Sequence, residues 1–188
     1  MKIEVKIKRE KRNFVLRWVI YFLIMLFAYI YMTTVKTTLP MPLLLLPLSL
    51  CISMYESPFS SAVTGLAAGL LLDNALGTII GFNGILLLWC CLFTSLLFIF
   101  VMRRHVVNIL LLTLATSLIQ GFLHYLFYYS IWGYSTGADI FVGVFLSVIA
   151  ISQLFTIIFY YIVRFLFAKI GIINENYYEE KSDNIVRE

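Results

Sequence analysis

Two sets of side chains in this 188-residue chain have the types and spacing to do chemistry. The first ends in a carboxylate. Counting by fours from Ser61 gives Gly65, Gly69, Asp73, Gly77 and Gly81, and residues four apart fall on nearly one face of a helix. As far as Asp73 this is a smooth groove closed by an acid, suited to close approach of a second helix backbone from this chain or from another protein. Asp73 itself fits two roles. It is either a buried carboxylate that pairs, binds a cation or carries a proton, or a hydrated cap on local N–H groups at the membrane surface. The second set is a polar line at Thr113, Ser117, Gln120, His124 and Tyr128, spaced by three or four and so facing one way. A transporter would use such a line to contact substrate, and a plain bundle would use it for interhelical hydrogen bonds. Gln153 fits the second use.

Other reactive types are poorly arranged for catalysis. Cys51, Cys90 and Cys91 lie in apolar runs with no CxxC or Cys/His spacing, so they read as small hydrophobes. Gly-x-Ser-x-Gly, HExxH, P-loop and dinucleotide-turn signatures are missing from the sequence. Asp73 and Asp139 are far apart with no third acid or base to join them. The expectation is a non-enzyme with no cofactor, no metal, no nucleic-acid partner and no small-molecule substrate.

The elements that must carry these residues belong to a membrane. Hydrophobic residues make up 62% of the chain and charged residues 13%, with a mean hydropathy of +0.95. A soluble domain averages about half apolar and about a quarter charged residues, so soluble, disordered and disulfide-stapled classes are excluded. Residues 1–17 carry seven cations against Glu4 and Glu10. The next 146 positions hold only Lys36, Glu56, Asp73, Arg103, Arg104 and Asp139. Charge is costly inside a bilayer, so most of these mark loops between apolar runs at 18–35, 39–55, 58–76, 80–102, 106–132 and 139–168.

These runs predict an all-α, multi-pass transmembrane helical bundle of about six spans. The second and third runs are short, and read either as thin spans or as a hairpin re-entering one face. Both readings put the amino and carboxyl termini on the same side. With the basic arm in the cytoplasm, every Lys and Arg except Lys36 is cytoplasmic, as the positive-inside bias asks. The chain divides into a basic arm (1–17), a membrane bundle (18–168) and a polar cytoplasmic tail (169–188). No small-x-small site follows the first run, so it reads as an uncleaved anchor. The arm either sets orientation only or also lies on anionic lipid. Tyr21, Tyr29, Tyr31, Trp132, Tyr134, Tyr160 and Tyr161 are expected in an interfacial belt. Trp89 is expected in packing, and Pro47 is placed to kink the second run.

The pattern Gly65-x3-Gly69-Leu70-Leu71-Leu72-Asp73-x3-Gly77-x3-Gly81-x-Asn83 follows a proline-led leucine run (Pro42 to Pro47) and the turn Glu56-Ser57-Pro58. It resembles the rod shape-determining protein MreD family, as do the length and the basic amino terminus. The resemblance implies a fold similar to the substrate-binding subunits of energy-coupling-factor transporters. It also implies a non-enzymatic scaffold of the cell-elongation complex in the bacterial cytoplasmic membrane. Its expected partners are an MreC-like protein, other elongation-complex membrane proteins and the lipid bilayer, met through small-residue helix faces. The alternative is a vitamin-binding subunit of such a transporter, but the first run lacks a small-x3-small motif for docking a coupling subunit.

Overall fold

The computed structural model describes residues 2–34, 43–127, 143 and 145–170, with side chains from Val15 to Lys169. Six helices make up the described chain: α1 (Lys2–Thr34), α2 (Leu45–Ser53), α3 (Pro58–Leu76), α4 (Phe82–Phe100), α5 (Val106–Tyr125) and α6 (Leu146–Ile170). Five of them contain an apolar stretch of 19 to 24 residues. At 1.5 Å per residue each reaches about 30 Å, the thickness of a bilayer core. The protein is a helical membrane bundle.

α1 runs unbroken from Lys2 through the basic arm into the first span. Lys, Arg and Glu are strong helix formers, so nothing at the 17/18 boundary stops the helix.

α2 occupies the centre. All nine of its residues are buried, and it touches each of the other five helices. Nine residues rise only about 13 Å, too short to span. Pro47 sits in the first turn of α2, where no intrahelical N–H bond is lost, so it does not kink the helix as the sequence suggested. Two of the helix's serines bond back to its own backbone: Ser49 Oγ donates to the Leu46 carbonyl (2.9 Å) and Ser53 Oγ to the Ser49 carbonyl (2.8 Å). The N–H of Leu43, just before the helix, donates to Ser152 Oγ of α6 at 2.9 Å. A free amide in this dry centre would cost about 1–3 kcal/mol.

Contacts at the two ends fix the helix directions. At one end Arg17 pairs with Glu56; at the other, Asn74 Nδ2 donates to Tyr29 Oη at 2.7 Å. α1 and α3 therefore run the same way, and the chain between them returns to the Glu56 end. α4 runs against α3, with Gly65 beside Leu87 and Gly69 beside Asn83. α5 and α6 are antiparallel as well, since Thr113 bonds Gln153 and Tyr160 bonds Arg104.

Aromatic placement departs from a simple belt. Tyr21 and Tyr160 are buried, whereas Tyr31 and Tyr161 are exposed to the surroundings. Trp89 is not packed inside: it is 53% exposed and stacks on Phe93 at 5.9 Å. An indole on the outer face of α4 meets acyl chains, and its neighbour one turn on covers one ring face. Trp132 and Tyr134 lie outside the described residues.

Candidate functional site

The carboxylate of Asp73 is fully buried one turn before the end of α3. Its Oδ1 accepts from Thr78 Oγ1 (3.0 Å), the Asn83 N–H (3.0 Å) and Asn83 Nδ2 (2.8 Å). Its Oδ2 accepts from the N–H groups of Gly81 (2.8 Å) and Gly84 (3.4 Å). Gly81, Asn83 and Gly84 lie at the start of α4, where helical N–H groups have no intrahelical partner and the helix dipole is positive. Asp73 thus caps a neighbouring helix, and α4 supplies the hydrogen bonds that a buried polar group needs. The cap role raised by the sequence is the one observed, but in the interior and not in water.

Two glycines make the cap reachable. Gly77 (φ 65°) and Gly81 (φ 99°) take left-handed conformations at either end of the turn, where a side chain would be strained. They leave the face shared by Ser61, Gly65, Gly69 and Asp73. α3 ends at Leu76, and the chain reverses through Gly77–Gly81 so that α4 starts beneath the carboxylate.

The groove expected on α3 exists, and α4 fills it. A Cβ on Gly65 would lie 2.9 Å from Cys91 Cβ and closer still to the Leu87 carbonyl oxygen. On Gly69 it would lie 2.6 Å from the Gly84 nitrogen. The glycines at 65 and 69 therefore offer no face to a second protein. Ser61 acts at the other end of α3. Its Oγ lies 3.4 Å from both the Ser53 and Glu56 carbonyls and donates toward that turn.

The polar line of α5 does face inward, and it joins the Asp73 cap through Asn83. Gln120 Nε2 donates to Asn83 Oδ1 at 3.2 Å, and Asn83 Nδ2 donates to Asp73. The chain of amides runs Gln120 to Asn83 to Asp73, each donating toward the acid. Thr113 Oγ1 donates to Gln153 Oε1 at 3.0 Å, tying α5 to α6. Ser117 is buried beside them. His124 lies 5.7 Å from the Phe145 ring, centroid to centroid. Tyr128 lies outside the described residues.

Asn83 was the residue that spacing did not single out. In sequence it is one polar residue in a glycine-rich turn, and only the fold reveals that it bridges the two sets. A second missed feature is at the opposite end. Arg17 Nε lies 2.9 Å from Glu56 Oε1 and Arg17 Nη2 donates to Glu56 Oε2 at 3.1 Å, both side chains being almost fully buried. Ser95 Oγ adds a bond to the Glu56 carbonyl at 2.7 Å. Burial pushes the Glu56 carboxyl above its ordinary value, against the pull of Arg17. These residues are 39 apart in the chain and carry no local signature of pairing.

Among the described residues no group of three or more His, Cys, Asp or Glu side chains is arranged to hold a metal ion. The described acids Glu56 and Asp73 are both engaged in joining helices. No protein-family model, curated protein or solved structure matches this chain.

Proposed function

We propose that this chain is a non-enzymatic scaffold of the MreD kind, a multi-pass subunit of the cell-elongation complex in the bacterial cytoplasmic membrane. Its partners would be an MreC-like protein and wall-synthesis membrane proteins. One observation carries the reading: the residues behind the family resemblance, Gly65, Gly69, Asp73 and Asn83, are spent on joining α3 to α4. Such a motif defines a rigid body, and the chain's work then falls to its outer surface. Partners meet the apolar outer faces of the helices, since α4 already occupies the small-residue groove.

Five helical spans, a return of the chain through the half-length α2, and both termini in the cytoplasm go with this reading. Arg103, Arg104, Arg164 and Lys169 stand at the Arg17 end of the bundle, beyond which the basic arm also continues. The positive-inside bias puts that end in the cytoplasm. The test is affinity purification of the full chain in mild detergent, with identification of what accompanies it. Wall-synthesis and MreC-like proteins are the expected companions, and an ATPase module in their place refutes the scaffold.

A second reading, a small-molecule-binding subunit similar to those of energy-coupling-factor transporters, draws on a different observation. Ser117 Oγ, Gln120 Oε1 and Gln153 Nε2 are buried and make no hydrogen bond within the described chain. Buried polar atoms in this state ask for water or a ligand. Saturable binding of a vitamin-sized compound, lost in Gln120→Leu, would favour this reading over the scaffold.

A further inference from the structure

The end of the bundle opposite Asp73 carries a cluster that neither the resemblance nor the scaffold reading uses. Arg104 stands in the α4–α5 turn with its guanidinium 5.2 Å from the Tyr55 ring centroid and 5.8 Å from that of Phe167. These two rings lie 4.8 Å apart and form one aromatic platform. Arg164 comes from α6. Its Nη1 donates to Tyr160 Oη at 3.5 Å, and the same hydroxyl donates to the Arg104 carbonyl at 3.4 Å. The Tyr160 hydroxyl thus links the Arg164 guanidinium to the Arg104 backbone. Both arginines are exposed, and both guanidiniums act electrostatically on the Tyr55 hydroxyl.

Among the side chains described, the only acid at this end is Glu56, and it is buried in its pair with Arg17. Lys169 and Arg103 add further exposed positive charge. The position suits lipid. Arg104 lies in the turn after the apolar span of α4, and Arg164 lies just over a turn inside the end of the α6 span, as interfacial cations do. Phe100, Val101, Tyr161 and Phe165, beside the two arginines in sequence, are all more than half exposed. They offer acyl chains an apolar wall next to the cations. Guanidinium forks match phosphate oxygens in pairs, and stacking on rings fixes their planes in advance.

We propose that Arg104 and Arg164 form a site for the headgroup of an anionic phospholipid, with the Tyr55–Phe167 platform holding the Arg104 fork in its binding orientation. The site does not depend on the scaffold reading or on which side of the membrane this end faces.

The test uses the full chain, purified and depleted of lipid, and counts bound lipids by native mass spectrometry while its thermal midpoint is followed. Phosphatidylglycerol is titrated against phosphatidylcholine, and inorganic phosphate is added in a separate arm. The wild-type chain should retain phosphatidylglycerol preferentially, gain thermal stability from it, and lose the preference as salt rises. Arg104→Gln/Arg164→Gln should bind it roughly 25-fold more weakly, two cations at roughly fivefold each. The double Lys variant, which keeps charge but not the fork, should fall between. Equal retention of both lipids by the wild-type chain overturns the proposal however the variants behave. So does binding of inorganic phosphate with no further gain from phosphatidylglycerol. A preference that appears only after residues 171–188 are removed would assign the site to the acid-rich tail, and also overturns it.

Discussion

Five donors converge on the buried Asp73 carboxylate, four of them from the α4 terminus and its Asn83 side chain. The amide of Asn83 cannot be replaced cheaply, since it satisfies Asp73 and Gln120 at once. Asn83→Ala leaves both partly unpaired. It should destabilise the purified protein by about 1–3 kcal/mol, read as a lower thermal midpoint in detergent. Gln120→Ala should cost less, because only one donor is lost from the line. At the other end, Glu56 predicts a pH dependence. Its carboxyl is raised above the ordinary 4.5 in the folded state, chiefly by burial, so folding favours the protonated form. The stability it contributes is full below about pH 4.5 and is lost as pH rises through the raised value. Glu56→Gln should flatten the stability profile across that window, although it also removes the partner of Arg17. A profile as steep as that of the wild type would assign the titration to another group.

The α3–α4 hairpin and the central α2 account for the architecture at the level of elements. α3 approaches α4 through Gly65 and Gly69, a distance only a missing side chain permits. Gly69→Leu should force the two helices apart and lower stability by at least about 1–3 kcal/mol, as overpacking does. A paired-cysteine cross-link between the outer ends of α3 and α4 should report the separation, and an unchanged cross-linking rate would put Gly69 against lipid. For α2, Ser152→Ala strands the Leu43 N–H in the bundle centre. That should cost about 1–3 kcal/mol in the same melting assay. Much of this was legible beforehand. The spans of α3 to α5 follow from apolar runs bounded by charge, and the four-residue spacing of small residues pointed to a close helix contact. What occupies the groove was not legible, because both an internal and an external helix satisfy the same spacing. The burial of α2 was hidden for a related reason: a leucine run is equally apolar whether lipid or protein surrounds it. Trp89 was misread on the same ground, and the Arg17–Glu56 pair because charges 39 positions apart leave no local pattern.

For the whole molecule, Glu56, Asp73, the glycine groove and much of the inward polar line are consumed in holding five spans around a buried half-length helix. Lipid gives apolar helices no reason to associate, so small-residue contacts and interior hydrogen bonds must hold the bundle. The motif that carries the family resemblance is accordingly a folding device. The most direct measurement is the thermal midpoint of purified Asp73→Asn, alone in detergent, beside its retention of partners in the mild-detergent purification. The Asn variant keeps the shape but sets an NH2 group against N–H donors, so the isolated protein should melt well below the wild type, with partner loss no greater than its unfolding explains. A wild-type midpoint together with lost partners would mean that Asp73 faces a neighbour, and would contradict the account.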